Sequence, residues 1–241
     1  MNHDILTAPS EPQEKLTEQA FRRIHLGILS GQLRPGAPVT EVDLMEQFEL
    51  TRAPVRHAIA RLGHEGWLVA QSKRRYVVKP ITLRDVREVF DLRKQLEPEA
   101  ALRAAGRVNE ARLAQFDEIM SQTYDPNDAE SETRFFAANS ALHCSIAEAA
   151  GNQRITQIVK KLHDESERIL RVGMRYINWS HNWQHGHEEL ISALVSGQGE
   201  LAAQIALRQI NQSERIVMDA MTELLDEISF GLGPDVRNTK V

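Results

Sequence analysis

Two arginines stand at the beginning of a predicted helix, in the segment Leu50-Thr-Arg-Ala-Pro-Val-Arg56. Arg52 and Arg56 lie at the N-terminal end of that helix, off its apolar stripe. A helix that enters the major groove of DNA contacts base edges with its N-terminal residues. The flat guanidinium fork matches guanine O6 and N7, or a phosphate. The two arginines therefore indicate contact with nucleic acid, with ordinary solvated helix charges as the alternative.

A second group of cations, Lys73-Arg74-Arg75, lies between two short apolar and β-branched runs. The runs Trp67–Ala70 and Tyr76–Val78 are typical of the strands of a β-hairpin, and Gln71–Arg75 of its loop. Three consecutive cations at the tip of a hairpin would lie against phosphates or in the minor groove. Both basic groups therefore support the same interpretation.

Capping and apolar spacing predict the elements that position these cations. Thr40 is expected to cap a short helix, and Asp43, three residues later, completes a capping box. Leu44 and Phe48 are four residues apart and share one face of this helix. The helix is expected to end at Glu49-Leu50, directly before the segment that carries the two arginines.

The next helix is expected to be capped by Thr51, and Pro54 falls in its first turn, where a missing N–H costs nothing. Its buried face is predicted from apolar residues at i, i+4 and i+7, which are Val55, Ile59 and Leu62. Two short helices joined by a tight turn and followed by a basic two-stranded hairpin predict a winged helix-turn-helix.

Roughly residues 15–80 resemble the DNA-binding domain of GntR-family transcription regulators. The resemblance rests on three motifs in the family's order and spacing, Ser30-Gly-Gln-Leu-Arg-Pro-Gly36, Leu50-Thr-Arg-Ala-Pro-Val-Arg56 and Leu62-Gly-His-Glu-Gly-Trp-Leu68. The family usually has Arg-Gly before the second strand of the wing, whereas this chain has Arg74-Arg75, which removes an easy φ > 0 position and adds a charge. The residues predicted to contact DNA are Thr51, Arg52, Ala53, Pro54, Arg56, Lys73, Arg74 and Arg75.

Net charge agrees with this interpretation once it is divided along the chain. Residues 15–80 carry 11 Lys and Arg against 6 Asp and Glu, a net charge of +5, so the remaining residues carry −10 of the total of −5. A positive N-terminal region on a negative body confines attraction for polyanions to that region. The single cysteine, Cys144, is expected to be a small core residue, and it fits a reducing cytoplasm. We expect neither a signal peptide nor a membrane span.

The fold class predicted for the 241 residues is mainly α, with a winged helix-turn-helix domain, including a small β-hairpin, followed by an antiparallel helical bundle. Thr82 and Asp85 predict a second capping box, and Pro98 is expected to kink or divide the helix that follows. Asn109 is expected to cap another helix. The expected domains are a flexible arm (1–14), the DNA-binding domain (15–80), an effector-binding and dimerisation domain (81–228) and a loose tail (229–241).

The second region resembles the all-helical effector domain of the FadR subfamily of GntR regulators. The resembling stretches are Asp91-Leu-Arg-Lys-Gln-Leu-Glu-Pro-Glu-Ala-Ala101, Leu142-His-Cys-Ser-Ile-Ala-Glu-Ala-Ala-Gly-Asn152 and His187-Glu-Glu-Leu-Ile-Ser-Ala-Leu194. The resemblance implies that this domain binds a small acid, often with a metal ion, and that the protein is a homodimer.

A metal site in the second region would be incomplete. Many family members hold a divalent metal with an Asp and a His four residues apart and two further His. His143 and His187 match that pattern, but Asn139 stands at the Asp position and Ile210 at the last His position. Loss of one charge and one ligand disfavours Zn²⁺ or Ni²⁺ on Asn139, His143 and His187. We therefore expect a core histidine hydrogen-bonded to Asn139 in preference to a metal ligand.

An organic acid is the favoured ligand of the bundle, because Arg93 lies on an otherwise apolar helical face and a guanidinium group pairs bidentately with a carboxylate. The alternative is an ordinary pair with Glu97 at i, i+4. The predicted effector-binding residues are Arg93, Asn139, His143 and His187. Weaker candidates of the same kind are Arg134, Arg171 and Arg175, and Trp179 and Trp183 could line the pocket or close the bundle. His181, His185 and His187 form a cluster along the chain that can also arise by chance.

The leading hypothesis is a transcription regulator, specifically a metabolite-responsive repressor that binds double-stranded operator DNA as a homodimer. One alternative is an all-helical metal-dependent hydrolase, suggested by the pair His163-Asp164, although solvated polar residues on a helix explain that pair equally well. The other alternative is a DNA-binding protein whose bundle serves only for dimerisation.

Overall fold

The computed structural model describes residues 11–72, 74–122, 128–174 and 187–229. The chain folds into two compact units, Met1–Ile81 and Thr82–Val241. Several sequence-based predictions lie outside the described residues: the arm before residue 11, the tail after 229, the turn at 124–127, Lys73, Arg175, Trp179, His181, Trp183 and His185. No helix in the described part of the chain is both long enough and apolar enough to cross a membrane.

The first unit, which we call the head, contains three helices and a small sheet. Its elements are α1 (Glu11–Leu29), β1 (Pro38–Thr40), α2 (Glu41–Gln47), α3 (Arg52–His64), β2 (Leu68–Ser72) and β3 (Arg75–Val78). The predicted winged helix-turn-helix is therefore confirmed, although α1 begins at Glu11, inside the predicted arm (1–14). The helices and the sheet enclose one apolar core, formed by Phe21, Ile24, Ile28, Leu44, Phe48, Val55, Ile59, Leu62, Trp67, Leu68 and Val78.

The sheet of the head has three antiparallel strands in the order β1-β3-β2, rather than the predicted two. The additional strand β1 pairs Thr40 with Arg75, so the chain leading into α2 is hydrogen-bonded to the wing. Three residues are too few to show a strand pattern, and β1 exists because β3 offers it an edge. The strand pairing between β2 and β3 is shifted between Ala70 and Ser72, beside the tip of the wing.

The predicted helix caps of the head are confirmed at α2 and corrected at α3. The Thr40 hydroxyl accepts from the Asp43 N–H, and the Asp43 carboxylate accepts from the Thr40 N–H. Thr51 occupies the N-cap position of α3 with an extended backbone, but its side chain accepts no capping hydrogen bond. The hydroxyl of Thr51 therefore leaves the helix amides uncapped, and Thr51 is an exposed residue.

The second unit is an all-helical bundle in the residues that the structure describes. Its helices are α4 (Leu83–Ala104), α5 (Glu110–Ser121), α6 (Ala129–Ala149), α7 (Gln153–Met174), α8 (His187–Val195) and α9 (Gly199–Ser229). The capping box of Thr82 and Asp85 and the Asn109 cap are confirmed. Helix α4 packs against α6, α7 and α9, so its buried face lies at the centre of the bundle.

Pro98 was predicted to kink or divide the helix; α4 is continuous through Pro98, so division is wrong. Proline removes one i→i−4 hydrogen bond from a helix interior, which costs about 3 kcal/mol. The residues that follow, Ala100, Ala101 and Ala104, are all buried in the bundle. Burial of this apolar face on both sides of the proline keeps the helix intact, because most helical stability in proteins comes from tertiary packing.

Candidate nucleic-acid interface and buried polar cluster

The N-terminal end of α3 presents an exposed polar face. Thr51, Arg52, Ala53 and Arg56 are exposed, whereas Pro54 is buried on the side of the apolar core. The opposite face of α3, with Val55, Ile59 and Leu62 as predicted, is buried together with Ala58. His57, which the sequence analysis missed, is also exposed beside Arg56. Its position next to Arg56 and off the apolar stripe could have identified it from the sequence as an exposed residue of this face.

Arg56 is held by Glu41, the first residue of α2. The Arg56 Nε–H donates to both carboxylate oxygens of Glu41, with N···O distances of 3.1 and 3.0 Å. The side chain of Arg56 is 59% exposed and that of Glu41 only 18%. The carboxylate thus occupies the Nε side of the guanidinium group, while the Arg56 side chain as a whole stays largely exposed.

The wing is connected to the Arg56–Glu41 pair through the sheet. Arg75 is the first residue of β3 and Arg74 precedes it in the turn, and both are exposed. Neither is among the described residues with positive φ, so Arg74 and Arg75 themselves do not occupy the left-handed position that a glycine would supply. Because Arg75 pairs with Thr40, and Glu41 follows Thr40, β1 connects the wing cations to the helix cations.

A second polar group, which we call the buried cluster, consists of Arg93, Glu97, His143, His163 and His187. Arg93 and Glu97 face each other on α4, with the Arg93 Nε–H donating to Glu97 Oε1 at 2.6 Å, and each side chain is 5% exposed. The i, i+4 pair weighed for these residues is therefore present, in the interior. The guanidinium group of Arg93 is therefore already paired with a carboxylate of the protein itself.

Two histidines from neighbouring helices complete the surroundings of Glu97. His143 Nδ1 on α6 lies 3.2 Å from Glu97 Oε2, and His163 Nε2 on α7 lies 3.2 Å from Oε1. The two imidazole rings stack, with centroids 4.5 Å apart, and the His187 ring lies edge-on to His143 at 5.6 Å. Glu97 therefore lies against His143 where the sequence analysis expected Asn139.

Burial and neighbouring charges determine the protonation of this cluster. Burial raises the pKa of Glu97, but Arg93 and the two histidines outweigh it and hold that pKa well below 4.5. Burial lowers the pKa of His163 to about 4 and that of His187 to about 3. At neutral pH the cluster therefore contains a carboxylate and, at His163 and His187, neutral imidazoles.

The donor set of the cluster fits a divalent metal. Ligand atoms of Glu97, His143 and His163 all lie within 4.8 Å of one another, and all three residues are buried. His163 Nε2 is close to Glu97 Oε1 but makes no hydrogen bond to any described residue, because the contact lacks hydrogen-bond geometry. One carboxylate and two imidazoles are ligands that Zn²⁺ and Ni²⁺ accept.

The predicted ligands Asn139, His143 and His187 are all buried, as is Ile210 at the expected last ligand position. Glu97 and His163 were missed as members of one site. His163 was explained as a solvated residue, which is wrong, since it is 2% exposed. It continues an inward stripe of α7 with Val159, Ser166 and Leu170, and that spacing was the available signal.

Two of the weaker arginine candidates, Arg134 and Arg171, are engaged in ion pairs. Arg171 is buried, with Nη1 2.7 Å from Glu132 and Nη2 2.9 Å from Glu167. Its guanidinium group also lies over the Phe136 ring, 4.5 Å from the centroid. Arg134 is exposed and lies 3.8 Å from Glu130. Arg171 is therefore part of the bundle's internal packing.

Cys144 lies beside the buried cluster in sequence and is half-buried, so it is less enclosed than the predicted core position. Burial raises the pKa of its thiol to about 11. The thiol is therefore protonated at neutral pH, and only a thiolate is a competent nucleophile. This cysteine offers no support for covalent catalysis.

Comparison with known proteins gives the same division of the chain. Residues 16–78 match the bacterial regulatory proteins of the gntR family, and residues 88–212 match the FCD domain. The HTH-type transcriptional repressor RspR of Escherichia coli K12 is 22% identical over 219 residues, which cover 90% of this chain and 96% of the relative. The Nta operon transcriptional regulator of Aminobacter aminovorans is 25% identical over 81% of this chain and 93% of its own length.

Solved structures confirm the fold. E. coli McbR/YncC superposes with a TM-score of 0.74 at 21% identity, covering 86% of this chain and 98% of that one. A transcriptional regulator from Rhodococcus sp. RHA1 superposes with a TM-score of 0.70 at 20% identity, and the match covers 86% of this chain and 99% of that one. The family matches and the curated relatives are all transcriptional regulators, which excludes the hydrolase alternative.

Proposed function

The chain belongs to the gntR-family regulators that carry an FCD domain, and we propose that it is a metabolite-responsive transcription repressor of the FadR subfamily. It acts in the cytoplasm as a homodimer that binds double-stranded operator DNA. Two heads read half-sites about one helical turn apart. A small organic acid in the bundle changes the affinity of the dimer for its operator.

The observation that carries this proposal is the exposed basic surface of the head. Arg52 and Arg56 lie at the N-terminal end of α3, and Arg74 and Arg75 lie at the wing. The helix cations read bases, because bidentate Arg–guanine contacts distinguish sequences by about 1–3 kcal/mol. The wing cations bind phosphates, which adds affinity without sequence preference. The proposed contact residues are Thr51, Arg52, Ala53, Arg56, Lys73, Arg74 and Arg75; Pro54, which was predicted to be one of them, is buried and is left out.

The effector site is built around Arg93, together with Asn139, His143 and His187. The family relationship supports a small carboxylate as the ligand, and the buried guanidinium group of Arg93 supplies the matching charge. Because Glu97 already accepts from Arg93 Nε, the ligand binds the remaining N–H groups of Arg93 or displaces the carboxylate. For regulation, the ligand must prefer one arrangement of the dimer by about 1–3 kcal/mol.

The DNA-binding part is tested with an operator selected from a randomised duplex library. Arg52→Ala should lower affinity for the operator by about 5- to 150-fold while changing affinity for random DNA little. Arg74→Ala should weaken binding to both duplexes alike and reduce the slope of log K against log salt by about one phosphate contact. Arg134→Ala, an exposed arginine of the bundle, is the control.

Equal losses on operator and random DNA for both head variants would contradict this division of roles. The effector part is tested separately by thermal-shift screening of the full-length protein with organic acids. A hit should lose its stabilising effect in Arg93→Met. If no acid stabilises the protein, the bundle serves for dimerisation alone, which is the remaining alternative.

A further inference from the structure

The N-terminal end of α2 carries an exposed apolar side chain beside the basic surface of the head. In the residues that the structure describes, the exposed large apolar side chains of the head are Leu16, Leu26, Val42 and Val69. A single exposed valine needs no function by itself. Val42 is distinguished by its position, because it directly follows Glu41, whose carboxylate accepts from the Arg56 Nε–H.

Val42 lies between the two basic parts of the head. Thr40, two residues earlier, pairs with Arg75 of the wing, and Glu41 holds Arg56 of α3. In a helix-turn-helix the first helix crosses the DNA backbone and the second lies in the major groove. Because the N-terminal end of α2 is tied both to α3 and to the wing, the exposed side chain of Val42 is placed at the groove, between the proposed base contacts and the proposed phosphate contacts.

The polar neighbours of Val42 are engaged within the head. The Asp43 carboxylate accepts from the Thr40 N–H at 2.8 Å, and the Glu41 carboxylate lies 3.0 Å from Arg56 Nε. Two acidic neighbours repel phosphates, so this end of α2 fits the edges of the bases better than the backbone. Val42 is the side chain between these two acids that is exposed without a charge.

The apolar group that a base pair presents in the major groove is the C5-methyl group of thymine. We propose that Val42 contacts this methyl group and thereby selects thymine at one position of each operator half-site. The inference rests on the proposed DNA-binding function and adds to it a residue of α2 that reads a base. Cytosine lacks the methyl group, and the purines present only polar atoms at the corresponding edge.

The position of the thymine follows from the contact between the two helices. Glu41 joins the two side chains, because it precedes Val42 in the chain and lies 3.0 Å from Arg56. With base pairs about 3.4 Å apart along the duplex, the thymine should lie within about two base pairs of the base that Arg56 contacts. Arg56→Ala should relax the preference at that neighbouring base and leave the thymine preference in place.

The methyl contact is tested by replacing thymidine with deoxyuridine, one position at a time, in the operator selected from the randomised library. Deoxyuridine pairs as thymidine does and lacks only the methyl group. A methyl group buried in a contact is worth about fourfold in affinity, so wild type should bind about fourfold more weakly for each half-site replaced at the contacted position. Val42→Ala should bind the two duplexes equally well. Leu26→Ala, another exposed apolar residue of the head, should keep the difference and is the control.

Three results would overturn the proposal: a wild-type operator with no thymine whose methyl group matters, a methyl dependence that persists in Val42→Ala, or a loss of that dependence in Leu26→Ala as well. Persistence would assign the contact to another exposed side chain of the head, for which Ala53 is the nearest choice in chemistry. If Val42→Ala fails to fold, Val42→Ser is measured in its place, and the same loss is expected. Operator binding without methyl dependence refutes this inference alone, whereas failure to select any operator refutes the proposed function as well.

Discussion

The pair between Arg56 and Glu41 predicts that Glu41, although acidic, improves the ability of the head to distinguish DNA sequences. In Glu41→Gln the carboxylate that receives the Arg56 Nε–H is replaced by a neutral amide. The exposed guanidinium group then loses its fixed direction before it meets DNA. We expect this variant to bind random DNA more tightly than wild type and to distinguish the operator less well.

The two effects have different sizes and signs. Ordering one long side chain on binding costs about 0.5–1.5 kcal/mol. If Glu41 removes that cost in advance, its loss reduces the ratio of operator to random affinity by about 2- to 12-fold. The charge effect is smaller: one negative charge repels a phosphate roughly 8 Å away by about 0.5 kcal/mol in water. Its removal raises affinity for any duplex by about twofold at low salt.

Fluorescence anisotropy with the selected operator and a random duplex, over a range of salt concentrations, separates the two effects. Glu46→Gln is the control, because Glu46 is the other glutamate of α2, is exposed, and the substitution removes the same charge. It should raise affinity for both duplexes equally. If Glu41→Gln changes the operator-to-random ratio no more than Glu46→Gln does, the reasoning that Glu41 orients Arg56 is wrong.

Three further predictions concern stability. Thr40→Ala should cost about 1 kcal/mol and reduce hydrogen-exchange protection of the α2 amides about fivefold, whereas Thr51→Ala, which removes no capping bond, should leave the α3 amides unchanged. Gly199→Ala should lower the Tm of the bundle by several degrees in calorimetry, because its Cβ would lie 2.8 Å from the backbone oxygen of Leu102. Burial raises the pKa of Glu167 above 4.5, so its contribution to stability is present below pH 4.5 and lost as pH rises through the raised value. The Tm of wild type relative to Glu167→Gln should therefore fall as pH rises above 4.5, and a constant difference would contradict this.

Local signals predicted the head and most helix ends, because caps and apolar stripes act over a few residues. Thr40 with Asp43, and Thr82 with Asp85, each form the expected capping box. Strand β1 was not predicted, because it depends on a partner that is distant in sequence. Its three residues form a strand only because β3 lies beside them, and partners distant in sequence leave no local pattern.

The buried cluster shows a different limit on sequence reasoning. The spacing of Arg93 and Glu97 predicts that they can pair, but not whether the pair lies in water or in the interior. That depends on which face of α4 packs against α6 and α7. His163 looked like a solvated residue because its neighbour Asp164 is polar, yet successive helical residues point in different directions. A stripe drawn through Val159, His163 and Ser166 places it inside.

The continuity of α4 through Pro98 gives this cluster a direct covalent link to the head. The helix begins at Leu83, two residues after the head ends at Ile81, and carries both Arg93 and Glu97 on its buried face. A helix of 22 residues is about 33 Å long. A ligand that binds at Arg93 and Glu97 would therefore contact the helix that continues the chain directly from the DNA-binding unit. Because α4 is continuous, Arg93 and Glu97, which precede Pro98, lie on the same helix as Ala100, Ala101 and Ala104, which anchor it in the core.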